Sequence, residues 1–257
     1  MIHALLYGKL SREQENMEDI LTSNVFGLMR YLPFNQGVIP FLKKSVPFVG
    51  ECAHLFEYLS DDVDVEYEFW PRWSEPGCRA CEPDLVLRIQ AGARLCLICI
   101  EAKFRSGKSS MTDSEQGEHE NNSGDQLVRE WENLWRITKR EKRHDAFLIY
   151  LTADYGKPIW DMNASASAAK DDRFGRSLYW LSWRHLTHLF PFNTSSHVLN
   201  DLNAMVNRMG FFFFEGIHAY PLPSYTWQFL MPKVEYSWVN GLEAITMKWR
   251  FDNGIRR

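Results

Sequence analysis

Apolar Met17, Ile20, Leu21, Val25, Leu28, Met29 and Leu32 recur at spacings of three and four through residues 11–32. That period predicts an amphipathic helix, with Ser11 as its N-cap and Pro33 as its stop. The period then shortens to two. Residues 63–73 (VDVEYEFWPRW) alternate as a strand, and a Pro/Gly/Cys turn leads into two apolar runs, DLVLRI and RLCLICIEAKF, joined by QAGA. This is the pattern of a β-hairpin. Residues 113–124 (DSEQGEHENNSG) lack apolar side chains and read as a mobile loop, and DQLVREWENLWRITKR returns to the helical period. DAFLIYLTA (145–153) and SLYWLSW (177–183) read as buried strands, with WRHLTHLF turning into a helix. A leading helix, three strands, a helix and two more strands predict an α/β fold, a mixed β-sheet flanked by helices.

Beyond about residue 195 the pattern changes to a helical stretch, SSHVLNDLNAMVNRMG, then FFFF and three aromatic strand-like segments, YTWQFL, VEYSWV and ITMKWRF. The expected division is a core at 1–195 and a C-terminal α+β extension at 196–257, packed on the core or on a second subunit. No internal repeat is visible.

A chain of 257 residues with 45% apolar content has enough material for a real core. The run Leu95 to Ile100 falls far short of the roughly 20 apolar residues of a membrane span, and the N-terminus shows no leader pattern, so a soluble cytoplasmic protein is expected. Five cysteines, clustered within residues 52–99, point to reduced thiols rather than a disulfide framework. The net charge of −4 does not argue against nucleic acid, which needs a basic face and not a basic average.

Residues 78–103 carry two competing spacings. One is CxxC, fourteen residues, CxxC, in Cys78, Cys81, Cys96 and Cys99; the other is Pro83-Asp84 followed by Glu101-Ala102-Lys103. A two-residue loop at Gly92-Ala93 would pair Ala91 with Arg94 and Val86 with Cys99, and would set Asp84 opposite Glu101. Alternation then puts Lys103 on the face of both acids. Leu85, Leu87, Ile89, Cys96, Ile98, Ile100 and Ala102 fall on the other face. In this register Cys96 and Cys99 point to opposite sides of the strand and cannot share a tetrahedral ion, so a structural zinc is not expected. An Asp and a Glu converging beside one Lys are costly unless they hold a divalent cation, and Mg²⁺ suits such a ligand set, with Mn²⁺ able to substitute. Exposed strand-end residues are the plainer alternative.

The Pro-Asp, then Glu-x-Lys arrangement, together with the element order over residues 11–183, resembles the PD-(D/E)XK nuclease superfamily, the restriction-endonuclease-like fold. The resemblance implies that Asp84 and Glu101 are metal ligands and Lys103 the catalytic lysine. It also implies a first-helix glutamate, for which Glu18 is preferred to Glu15, and a glutamine opening the helix after the motif strand, which matches Gln126. A polar helix face is the other reading of Glu18 and Gln126. The implied activity is Mg²⁺-dependent hydrolysis of DNA phosphodiester bonds, with RNA not excluded, and with a role in bacterial or phage defence. The alternative is a catalytically silent nucleic-acid-binding or assembly subunit of the same fold. A zinc-dependent interaction module at 78–99 is a third option. Homodimers or larger complexes would be compatible.

Candidate DNA contacts are Lys139, Arg140, Lys142 and Arg143 in TKREKRH, Arg105 and Lys108 beyond the EAK strand, and Lys43-Lys44. A basic helix end also suits the helix dipole. Trp227, Tyr236, Trp238 and Trp249 could stack on bases or simply fill a core. His185 and His188 (HxxH) lack the companions of a zinc motif, and RSGKSS lacks the first glycine of a phosphate-binding loop.

Overall fold

The hairpin supplies two adjacent inner strands of a six-stranded sheet. The structure, a computed structural model, describes residues 2–11, 18–50, 53–104, 124–169, 171–187, 189–190, 194–212, 235–239 and 242–246, the last two ranges by backbone alone. The strands are β1 (Val46–Pro47), β2 (Asp64–Phe69), β3 (Leu85–Ala91), β4 (Arg94–Ala102), β5 (Asp145–Thr152) and β6 (Leu178–Ser182), in spatial order β1-β6-β5-β4-β3-β2. Pairs β2–β3, β3–β4 and β1–β6 are antiparallel, and β4–β5 and β5–β6 are parallel. The mixed α/β sheet expected from the pattern is therefore present.

The helices are α1 (Ile2–Leu6), α2 (Glu18–Met29), α3 (Val38–Leu42), α4 (Ala53–Phe56), α5 (Gln126–Arg140), α6 (Ile159–Ala169), α7 (Asp172–Ser177) and α8 (His197–Met209). They form a layer on each face. Leu21, Val25 and Phe26 of α2 and Leu202 and Met205 of α8 pack on Leu87, Ile98 and Ile149 of one sheet face. Leu127, Trp131 and Leu134 of α5, with Met162 of α6, pack on Val86, Cys99 and Leu148 of the other. Burial on both sides explains why β4 and β5 read as unbroken apolar runs. Each buried aliphatic side chain contributes about 1.5–3 kcal/mol, so the two layers together hold the register firmly.

Two compact units divide the chain, Met1–Phe213 and Phe214–Arg257. This boundary is later than the expected 195/196. The apolar stripe of α8 is buried in the same core as α2, and α8 packs against α1 and α2, so the helix belongs to the first unit. The second unit contains the hairpin β7 (Glu235–Val239) and β8 (Leu242–Thr246). The strand expected at 245–251 thus starts earlier than its aromatic pattern suggested, and YTWQFL lies outside the described residues. WRHLTHLF makes only a short 3₁₀ turn, Trp183–Leu186. Helix α6 leaves no hydrophobic stripe in the sequence because its IWDMNASASAA is mostly small residues, with Met162 and Ser165 as its buried contacts. No helix among the described residues is long and apolar enough to cross a membrane.

Candidate metal centre

Gly92 opens the β3–β4 loop with φ +60°, which a glycine adopts without a Cβ penalty, and Ala91 pairs with Arg94 as expected. That one loop fixes the rest of the hairpin, with Val86 opposite Cys99 and Leu85 opposite Ile100. A slip by one residue would turn Glu101 and Lys103 into the apolar layer that holds Ile98 and Ile100. Asp84 sits one residue before β3, its carbonyl accepting from Trp70 N at 3.2 Å and its Oδ2 from Ala102 N at 2.8 Å. Trp70 itself takes φ +48°, a left-handed conformation rare for a bulky residue, where the chain leaves β2 beside Asp84.

Glu18 comes from the start of α2. Its Oε2 accepts from Phe104 N at 2.8 Å, and its Oε1 accepts from Lys103 Nζ at 3.1 Å. Lys103 Nζ also donates to Glu101 Oε1, while its backbone N donates to Leu151 O at 2.7 Å and extends the β4–β5 ladder. One carboxylate oxygen from each of Glu18, Asp84 and Glu101 falls within 4.8 Å of the others. Helix α2, the hairpin and the end of β4 thus converge on one point at the sheet's edge.

The electrostatics are those of crowded acids with too little countercharge. Burial, then the neighbouring Glu101, pushes the Asp84 carboxyl up to about 8. Burial also raises Glu101, against the pull of Lys103. For Lys103, burial works against the charge, but Glu101 and Glu18 outweigh it and hold the ammonium above its ordinary value. An all-oxygen donor set that repels itself when ionised is what a hard divalent cation relieves, so these residues could hold one.

A fourth acid, Glu130, was not singled out from the sequence. It is fully buried on α5, and burial and the neighbouring Glu101 push its carboxyl well up. Among the described residues no partner reaches Glu130 Oε1 or Glu101 Oε2, and a Glu130 kept protonated by burial adds no second charge beside Glu101. The signal was available: Glu130 falls on the apolar stripe of Leu127, Trp131 and Leu134, where a charge has no place unless it is neutral or paired.

Gln126 is the first residue of α5, behind the N-cap Asp125, whose Oδ1 accepts from Val128 N at 3.3 Å. Asp125 Oδ2 also accepts from Ser165 Oγ of α6 at 3.1 Å. The basic run lies at the other end of this helix. His144 N donates to Leu95 O at the start of β4, and Leu95 lies roughly 20 Å from Glu101 at the usual rise of a strand. Arg140 pairs with Glu75, Arg143 pairs with Glu141 at 3.2 Å, and Lys139 lies 4.2 Å over the Trp135 ring. Lys142 is exposed with φ +54°. The structure therefore does not bring Lys139, Arg140, Lys142 and Arg143 to the acids. Lys43 pairs with Asp61 at 3.5 Å. Glu15, Arg105 and Lys108 lie outside the described residues, as do His188, Trp227 and Trp249, and of Tyr236 and Trp238 only the backbone in β7 is described.

The four cysteines do not converge. Cys96 lies in one core layer and Cys99 in the other. Cys81 Sγ lies 3.8 Å from Arg129 O, and burial pushes its thiol up to about 12, a protonated state that binds metal poorly. His185 Nδ1 accepts from Ser182 N at 3.2 Å and so closes a cap. The chain matches no family model, no curated protein and no solved structure, so the reading of the site rests on its geometry.

Proposed function

We propose that this chain is a metal-dependent nuclease of the PD-(D/E)XK type, with a restriction-endonuclease-like core, hydrolysing phosphodiester bonds in DNA. One observation carries the reading: Glu18, Asp84 and Glu101 present oxygens within 4.8 Å of one another, and Lys103 Nζ bonds to two of the three. Glu18, Asp84 and Glu101 would hold the cation, which when bound supplies polarisation of the phosphate and an activated water. Glu101 fixes Lys103, whose ammonium has three N–H groups, two of them spent on carboxylates and one left for a phosphate oxygen. The backbone of Ala102 orients Asp84, and that of Phe104 orients Glu18, so both acids are set before any substrate arrives.

Incubating plasmid and oligonucleotide DNA with Mg²⁺, Mn²⁺ or EDTA, beside the Lys103→Ala protein, tests this. Metal-dependent cutting that falls by roughly 10²-fold or more in the variant is the expected result. A wild-type protein that binds DNA and cuts none of it would instead favour the silent binding subunit.

A further inference from the structure

We infer that the substrate strand is unpaired where it crosses the site, its bases stacking on an aromatic platform made by Tyr155 and Trp160 and its phosphates meeting Lys157 and Arg184. The inference rests on the nuclease reading and names its substrate class. Trp160 is 87% exposed and Tyr155 67%, values far from those of core aromatics such as Trp183 and Phe174, which are fully buried. Both lie at the end of the sheet that carries the acids. Leu151 pairs with Ala102, β5 ends at Thr152, and the chain passes directly through Tyr155 and Lys157 into the first turn of α6. That helix packs beside the centre: Met162 of α6 lies in the same buried layer as Tyr150, the strand partner of Glu101.

The cations here differ from those of the basic run. Lys157 Nζ donates to Pro47 O and Phe48 O at 3.0 and 3.3 Å, and Arg184 Nε donates to Ala153 O at 2.9 Å. Carbonyls orient a cation without cancelling it, and neither residue forms an ion pair among the described residues. Arg140 and Arg143, at the far end of α5, are already matched by Glu75 and Glu141. Arg184 also lies 3.7 Å over the Tyr155 ring and donates to Phe212 O at 2.9 Å, which holds the half-exposed Phe212 close by. Ring faces next to uncancelled cations suit a nucleotide chain better than an apolar partner. A duplex hides its base faces in its own stack, so only unpaired bases can use the rings.

The test is fluorescence anisotropy with a labelled oligothymidylate and a duplex of the same length, with Ca²⁺ in place of Mg²⁺, on the whole chain and on Tyr155→Ala and Trp160→Ala. Each variant is expected to weaken single-strand binding roughly 10-fold and to leave duplex binding within about 2-fold, with Tyr155→Phe restoring affinity. Lys157→Gln is expected to lower the salt dependence of binding by roughly 0.7 in log–log slope. Unchanged single-strand affinity in both alanine variants overturns the platform, and metal-dependent cutting by the same wild-type preparation would leave the nuclease standing. Loss of single-strand binding in the variants, with no cutting by wild type, supports the platform and removes the nuclease. A wild type that binds neither strand overturns both.

Discussion

Glu130 of α5 lies against Glu101 of β4, helix against strand beneath the acidic cluster, and each carboxyl keeps one buried oxygen that no hydrogen-bond partner among the described residues reaches. Burial and the neighbouring Glu101 push Glu130 well up, so it stays protonated and can stand beside that carboxyl as a neutral donor. Glutamine is neutral at every pH and nearly the same shape. Glu130→Gln is therefore expected to fold with stability within about 1 kcal/mol of wild type and to keep metal binding. Glu130→Ala opens a cavity and removes the neutral donor beside Glu101, at a cost of about 2–5 kcal/mol. Urea unfolding of both variants checks this, and a glutamine variant as unstable as the alanine one would show that more than a neutral donor is needed.

Asp84 and Glu101 repel each other across the hairpin, so the centre is bought at the expense of the fold. At neutral pH the folded chain keeps a proton on Asp84 that the unfolded chain has released; Asp84→Asn removes the cost of holding it, and the amide oxygen can still accept from Ala102 N. In EDTA at neutral pH the variant is expected to melt higher than wild type, by about 2–4 °C for each kcal/mol recovered. It is also expected to show none of the upward shift in Tm expected of the wild type with Mg²⁺. Paired melting curves decide it. A lower Tm in EDTA would mean that the Asp84 charge stabilises the empty site.

The pH dependence follows from the same carboxyl. Asp84 titrates at about 8 in the folded chain against an ordinary 3.8, so between these values the native state holds a proton that the unfolded chain has released. Stability without metal then falls as pH rises from about 4 to about 8, and levels off above. Cation binding needs the carboxylate, so affinity for Mg²⁺ rises over the same window and a proton is released on binding. Calorimetric titrations in buffers of different ionisation enthalpy measure that proton. A pH-independent affinity would place the Asp84 proton elsewhere.

Much of this centre was legible before the coordinates. The register of β3 and β4 follows from one glycine and a period of two, and it put Asp84, Glu101 and Lys103 together correctly, because a slip would have buried charge. The same alternation separated Cys96 from Cys99. Glu130 escaped because its role depends on which strand α5 covers, a tertiary fact, although a lone acid on an apolar stripe was a signal. Helix α6 escaped because Ala and Ser carry no periodic contrast. The basic run lies far from the acids for a topological reason: TKREKRH is close in sequence to the motif strand, yet α5 runs away from the acids before β5 returns parallel to β4.

That topology makes the run a test of which charges matter. Lys142 is exposed, whereas Arg140 and Arg143 are matched by Glu75 and Glu141, and all lie at the start of β4 and β5 rather than at their ends. A charge about 20 Å from a phosphate is beyond the Debye length of about 8 Å at physiological salt, so its pull on a bound strand is largely screened. Lys142→Ala is expected to change DNA cleavage by less than about 2-fold at physiological ionic strength. Arg140→Ala leaves Glu75, whose side chain is only 13% exposed, without its partner, so a stability loss of about 1–3 kcal/mol is expected with little effect on cleavage. Cleavage rates measured across a salt series separate the alternatives. A loss of 10-fold or more in Lys142→Ala, strongest at low salt, would mean that the substrate extends along α5 to the far end of the sheet.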